Sequence, residues 1–116
     1  MPQRERIATW PTGRANRMSA RKVEVLSGAR VLTYAEIDTF NMFALDANGA
    51  ARNVDLPAVG SMAGAFLFIS NKAAGAFALT VRDAAAATIT VIAQSESALI
   101  WSDGISWYAM TGAVNS

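Results

Sequence analysis

The chain has 116 residues, 53% of them apolar, enough for one domain that buries roughly 60–70% of its unfolded surface. That content excludes a disordered protein, and no apolar run approaches the ~18 residues of a membrane span. The net charge of +1 conceals an asymmetry: residues 1–22 hold six basic groups against Glu5 (+5), whereas residues 23–116 hold four basic and eight acidic groups (−4).

Residues 1–22 show neither a helical nor a strand period, and Pro2, Pro11 and Gly13 interrupt any amphipathic helix there. They read as an extended basic arm that becomes ordered on docking. Its contact residues are Arg4, Arg6, Arg14, Arg17, Arg21 and Lys22, with Trp10 as an aromatic anchor suited to filling a pocket. The segment lacks the apolar stretch of a signal peptide.

From residue 23 onward the chain reads as strand and turn. Short β-rich runs recur at roughly the 8–12-residue spacing of small sandwiches and barrels. They are Val23–Leu26, Ala29–Thr33, Phe40–Leu45, Arg52–Leu56, Ala65–Ser70, Phe77–Arg82, Thr88–Ile92, Ala98–Ser102 and Ile105–Met110. Asn48-Gly49 and Asp103-Gly104 supply residues that tolerate positive φ, as hairpin turns demand. Ala84–Ala87 is too short for a helix between β-branched runs and reads as a turn. The expected fold is all-β, a small antiparallel sandwich or barrel of jelly-roll type over residues 23–116, with the arm extending from it.

Two of these runs are apolar on both faces. With Asp103-Gly104 as a two-residue loop, Ile100, Trp107 and Ile105 share one face of the last hairpin, while Leu99, Trp101 and Tyr108 share the other. Ala65–Ile69 likewise places Phe66 and Phe68 on one face and Leu67 and Ile69 on the other. A single core buries only one face of each strand. Leaving the second in water forgoes several kcal/mol at ~25 cal/mol per Å². The expected explanation is an interface between copies of the chain, formed by Leu67, Ile69, Leu99, Trp101 and Tyr108. An internal strand in a three-layer packing is the competing one.

Recognisable sites for chemistry are lacking. With no histidine or cysteine, the commonest general base and metal ligand and all thiolate chemistry are missing. There is no phosphate-binding glycine loop. Glu36 and Asp38 read as solvated acids, and Asp46-Ala47-Asn48-Gly49 lacks the remaining ligands of a calcium loop. No catalytic, cofactor or metal site is expected, and the reading is not that of an enzyme. The arm's charge could neutralise phosphates, but without interleaved aromatics and beside an acidic body, direct nucleic-acid binding is not the expectation. Trp101, Trp107 and Tyr108 could alternatively offer a platform for stacking sugars.

An ordered series of blocks runs through residues 40–108: Arg52-Asn53-Val54-Asp55-Leu56-Pro57, then Phe66-Leu67-Phe68-Ile69-Ser70-Asn71, Leu79-Thr80-Val81-Arg82-Asp83, Thr88-Ile89, Glu96-Ser97-Ala98-Leu99-Ile100 and Asp103-Gly104-Ile105-Ser106-Trp107-Tyr108. This series resembles a β-module that recurs in structural proteins of tailed bacteriophages, in head decoration (cement) proteins and tail-fibre segments. Ser95 departs from the pattern, standing where a glycine is expected. The resemblance implies a virion component without a catalytic site. It would be made in the host cytoplasm, placed on the outer surface of the capsid as a homo-oligomer, trimeric by preference, and partnered by the major capsid protein through the arm. A tail-fibre, baseplate or head–tail component is the structural alternative, and a carbohydrate-binding adhesion module the alternative from another class.

Overall fold

A computed structural model describes residues 19–21 and 23–113. All nine β-rich runs form strands: β1 (Glu24–Val25), β2 (Arg30–Val31), β3 (Met42–Asp46), β4 (Arg52–Asp55), β5 (Phe66–Asn71), β6 (Leu79–Arg82), β7 (Thr88–Ile92), β8 (Glu96–Ser102) and β9 (Trp107–Ala113). The fold is mostly β, but the strands are not arranged as an antiparallel sandwich or a closed barrel. Instead they build two mixed sheets, ordered β1-β3-β5-β8-β9 and β2-β4-β6-β7.

The first six strands alternate between the sheets, and each lies parallel to the strand one circuit later. Glu24 sits beside Leu45 and Val54 beside Val81, so each circuit takes 21 to 27 residues. The chain thus winds as a short flattened coil. It closes by reversing direction, with β7 antiparallel to β6, β8 antiparallel to β5, and β9 antiparallel to β8.

The turn chemistry behaves as the residues demand, but several turns connect sheets instead of neighbouring strands. Asn48 (φ 57) and Gly49 (φ 87) adopt the positive φ their types tolerate. They carry the chain from β3 in one sheet to β4 in the other, forming an arch across the core where a hairpin was expected. Arg52 braces this arch by donating to the carbonyls of Ala47 (2.7 Å) and Asn48 (3.0 Å). The expected turn at Ala84–Ala87 is present as a true hairpin between β6 and β7. Asp83 accepts there from the amides of Ala85 and Ala87, each at 2.9 Å.

One helix was not anticipated. Residues Tyr34–Thr39 form α1, started by a capping box in which Thr33 Oγ1 accepts from the Glu36 amide (3.1 Å) and Glu36 Oε1 accepts from the Thr33 amide (3.0 Å). Glu36 is therefore not a free solvated acid. Ile37, the buried residue of α1, completes the core.

The core lies between the sheets. Phe43, Leu45, Leu67, Ile69 and Ile100 from the five-stranded sheet meet Val54, Leu79, Val81 and Ile92 from the four-stranded one, all buried. Asn71 is buried too and ties the two sheets together. Its Nδ2 donates to the carbonyls of Phe77 (2.8 Å) and Ile92 (2.9 Å), and its Oδ1 accepts from the Ala73 amide (2.9 Å). The last of these is a local turn bond of the kind asparagine side chains form with their own backbone.

Ser95, between β7 and β8, has φ 63. The departure from glycine noted in the sequence thus falls at a backbone position that favours glycine. Ser95→Gly is expected to raise stability by up to about 1 kcal/mol, set by relief of the left-handed conformation against extra freedom of the unfolded chain. Chemical denaturation of the pair of proteins checks it; a loss of stability would contradict this reading of the turn.

A candidate assembly surface

Each sheet has an inner face in the core and an outer face, and the two outer faces differ in chemistry. On the four-stranded sheet the register sets Val31, Asp55, Arg82 and Thr88 side by side, and next to them Asn53, Thr80 and Val91. Arg82 forms a two-pronged pair with Asp55, at 2.7 and 3.0 Å, which holds the Arg82 guanidinium above its ordinary pKa. This is a polar surface with isolated valines.

On the five-stranded sheet the corresponding rows are apolar. Met42, Phe68, Leu99 and Met110 lie abreast across β3, β5, β8 and β9, and Phe66, Trp101 and Tyr108 form the adjacent row. Met42, Phe66 and Tyr108 are about 40% exposed and Met110 is 63% exposed. Phe68, Leu99 and Trp101 between them are half-buried by these neighbours. A third row, Ala44, Ser70, Ser97 and Gly112, is small and uncharged, and its two serines bond to each other at 2.7 Å. The three rows contain no charged residue.

The aromatic pair is fixed from outside the sheet. Asp103 Oδ1 accepts from the amides of Ile105 and Ser106, each at 2.8 Å, and Oδ2 accepts from the Tyr108 hydroxyl at 2.9 Å. These bonds, the backbone ones first, hold the Asp103 carboxyl below its ordinary range. The same contact with Asp103 raises the Tyr108 hydroxyl. Tyr108 is thereby laid against Trp101, with ring centroids 5.7 Å apart and planes 24° apart.

The turn also corrects the expected hairpin register. Ser102 pairs with Trp107 and Trp101 with Tyr108, so the loop spans four residues, Asp103 to Ser106, and Ile105 lies outside the strand. Gly104 has φ +88, and a Cβ there would lie 2.9 Å from Ala63 Cβ. Because the slip is two residues, the faces of Leu99, Trp101 and Tyr108 are unchanged.

Of the five expected interface residues, Leu99, Trp101 and Tyr108 share the outer face. Leu67 and Ile69 do not: both are fully buried in the chain's own core. Their neighbours Phe66 and Phe68 take the outward positions, together with Met42 and Met110, which the sequence reading did not single out. The signal for Phe66 and Phe68 was Asn71, which has the parity of Leu67 and Ile69 and needs interior partners for its amide.

Of the expected arm residues, Arg4, Arg6, Trp10, Arg14, Arg17 and Lys22 lie outside the described residues. Arg21 belongs to the body instead. Its guanidinium pairs with Glu24 and lies 5.9 Å from the Phe40 ring centroid, and its amide donates to Met42 at 2.9 Å. Ala20 also bridges Met42 in parallel register, so contact with the body begins before residue 22.

An open cleft of about 710 Å³ lies where Val59, Asp83, Ile89, Ile105 and Trp107 meet. Trp107 is half-buried there, with Nε1 directed at the Pro57 carbonyl at 3.4 Å. Among the described residues, no three acidic side chains come together as metal ligands would, and no helix is long and apolar enough to cross a membrane.

No family model matches the chain, and no match was found among curated proteins or solved structures. The reading of its function therefore starts from the surface itself. The centre of this sheet face is aromatic, aliphatic or small and holds no charged side chain. What it can do is pack against a surface of the same kind.

Proposed function

We propose that the chain is a non-enzymatic structural protein that works as an oligomer, and specifically a decoration (cement) protein on the outer surface of a tailed-phage head. The observation that carries the oligomeric part is the contrast between the sheets, one outer face polar and ion-paired, the other with central rows of aromatic, aliphatic and small side chains that hold no charge. The virion part rests on the resemblance of the blocks in residues 52–108. In the fold those blocks are β4, β5, β6, the start of β7, much of β8 and the final turn, with their corners.

In this reading the body forms the oligomer, with a trimer favoured. The basic arm then fastens it to acidic groups of the major capsid protein. The arm would become ordered on binding, so its contribution depends on the capsid surface being present. Because Ser19, Ala20 and Arg21 already bond to the body, the arm to remove is residues 1–18. Deleting it is expected to leave a folded oligomer that no longer binds expanded capsids in a co-sedimentation assay. Full retention of capsid affinity would rule out the arm as the fastening element, and cryo-EM of virions distinguishes head from tail placement.

The stacked Trp101–Tyr108 pair favours one second reading, a carbohydrate-binding adhesion module, since its rings are partly open to solvent in the single chain. Glycan-array binding that is abolished by Trp101→Ala in a folded protein would support that reading.

A further inference from the structure

The proposal of an oligomer leaves open which surface joins the copies. We infer that a second copy of this chain docks on the outer face of the five-stranded sheet, face against face, with the rows Met42–Phe68–Leu99–Met110 and Phe66–Trp101–Tyr108 at its centre. This rests on the oligomeric reading above but replaces its trimer with a two-fold pair, because a face that meets its own copy closes on two chains.

Three features commit the face to this occupant. The first is area. With side chains of roughly 200 Å² each, the four stated exposures amount to about 370 Å², and the half-buried Phe68, Leu99 and Trp101 bring the two rows to on the order of 500 Å². That is at the upper end of what monomers leave open, and with a rim it approaches the roughly 600–800 Å² per partner of a specific interface. The second is charge. The two rows hold no charged side chain, so the same rows of a second copy bring no charge that would be buried without a partner. A charged partner would find nothing there to pair with. The third is shape. A sheet face packs well on another sheet face about 10 Å away, and a second copy brings a matching one. In a symmetric contact each row also meets apolar rows.

The edge strand beside this face, which touches β7 through the Thr90–Thr111 hydroxyl bond at 2.6 Å, supports the same conclusion. β9 ends the five-stranded sheet with Trp107-Tyr108-Ala109-Met110-Thr111-Gly112-Ala113, which contains no charge and no proline. Proteins that keep such an edge in water usually interrupt it with lysine or proline. Packing a second copy over the adjoining face brings covering structure alongside it.

The test uses the full chain and the double variant Met42→Glu/Met110→Glu, both positions exposed at the rim of the face. Val91→Glu on the other sheet, 50% exposed, is the control. Sedimentation velocity, with circular dichroism to check folding, is expected to show a concentration-dependent oligomer for the wild type and for Val91→Glu. The double variant should dissociate at least tenfold more readily. A wild-type chain that is monomeric at every concentration would overturn both this inference and the oligomeric reading. An oligomer that the double variant leaves intact would overturn only the choice of surface.

Should the double variant misfold, methionine oxidation of the wild type decides the matter. In the assembled state Met42 and Met110 should react with peroxide nearly as slowly as the core residue Met62, which is 4% exposed. Reaction at the rate of a free methionine would refute the docking face.

Discussion

Replacing Asn71 with alanine is expected to cost about 3 kcal/mol, a large part of the roughly 5–15 kcal/mol available to a small domain. The side chain is 2% exposed and makes three bonds to backbone groups of its own turn, the segment before β6 and the end of β7. Alanine would leave an amide and two carbonyls short of a partner in the interior. Each such group costs about 1–3 kcal/mol if it stays unsatisfied, less where water reaches it. Asp is no substitute, because it cannot donate to the carbonyls of Phe77 and Ile92 and would carry a buried charge. Urea denaturation measures the loss. A midpoint shift worth less than 1 kcal/mol would mean that the sheets are held together without this side chain.

The second large effect is expected at Arg30, which joins β1, β2 and α1. Its Nε donates to Glu24 (2.7 Å), its two terminal nitrogens reach both carboxylate oxygens of Glu36 (3.1 and 2.5 Å), and one also donates to the Val31 carbonyl (2.8 Å). The Arg30 side chain is only 16% exposed. Arg30→Ala would strand two partly buried carboxylates and is expected to cost about 2–3 kcal/mol. Arg30→Lys should recover less than half of that, because an ammonium cannot span both carboxylates with a planar fork.

The same network predicts an acid response. The Arg30 guanidinium, followed by the Thr33 bonds, lowers Glu36 from its ordinary 4.5 to about 2, against the opposing effect of partial burial. Its folded value lies below its unfolded one, so the unfolded chain binds more protons between them and stability rises with pH there. The contribution is complete above about pH 4.5 and is lost as pH falls toward 2, on the order of 2 kcal/mol once solvent screening is allowed for. Thermal melts between pH 6 and 2 should show this slope in the wild type and a flatter one in Arg30→Ala. Parallel curves would remove Glu36 from the account.

Much of this architecture was legible in the residues, for local reasons. Strand positions followed from β-branched and aromatic runs, and all nine runs became strands, because alternation and turn residues act over a few neighbours. The turn at Ala84–Ala87 and the side-chain bond of Asn71 to its own turn were equally local. The helix at Tyr34–Thr39 had a local signal as well. Thr33 and Glu36 stand at capping-box spacing, yet the six-residue segment is short enough to pass for a link between strands.

Pairing was a different matter. Asn48-Gly49 has the same positive φ whether it folds β4 back beside β3 or throws it across the core, so a hairpin could not be told from an arch. Parallel pairing of Val54 with Val81 depends on a contact 27 residues away, which no turn motif encodes. The orientation of β5 was undecided for a related reason. With phenylalanines on one face and leucine and isoleucine on the other, alternation named two apolar faces and ranked neither.

The two-faced strands and the uncharged last strand were thus properties of the sequence alone, because face and charge are written at single positions. Which face became core was decided only by the tertiary structure. Ala98 and Ile100 turn inward opposite Ile69 and Leu67, while Ser97 meets Ser70 outside. Asn71 finds its interior partners only when Leu67 and Ile69 point in. Burying the aliphatic side and satisfying that amide leaves Phe66, Phe68, Trp101 and Tyr108 outside as one surface, which a single copy of the chain has nothing to cover with among its described residues.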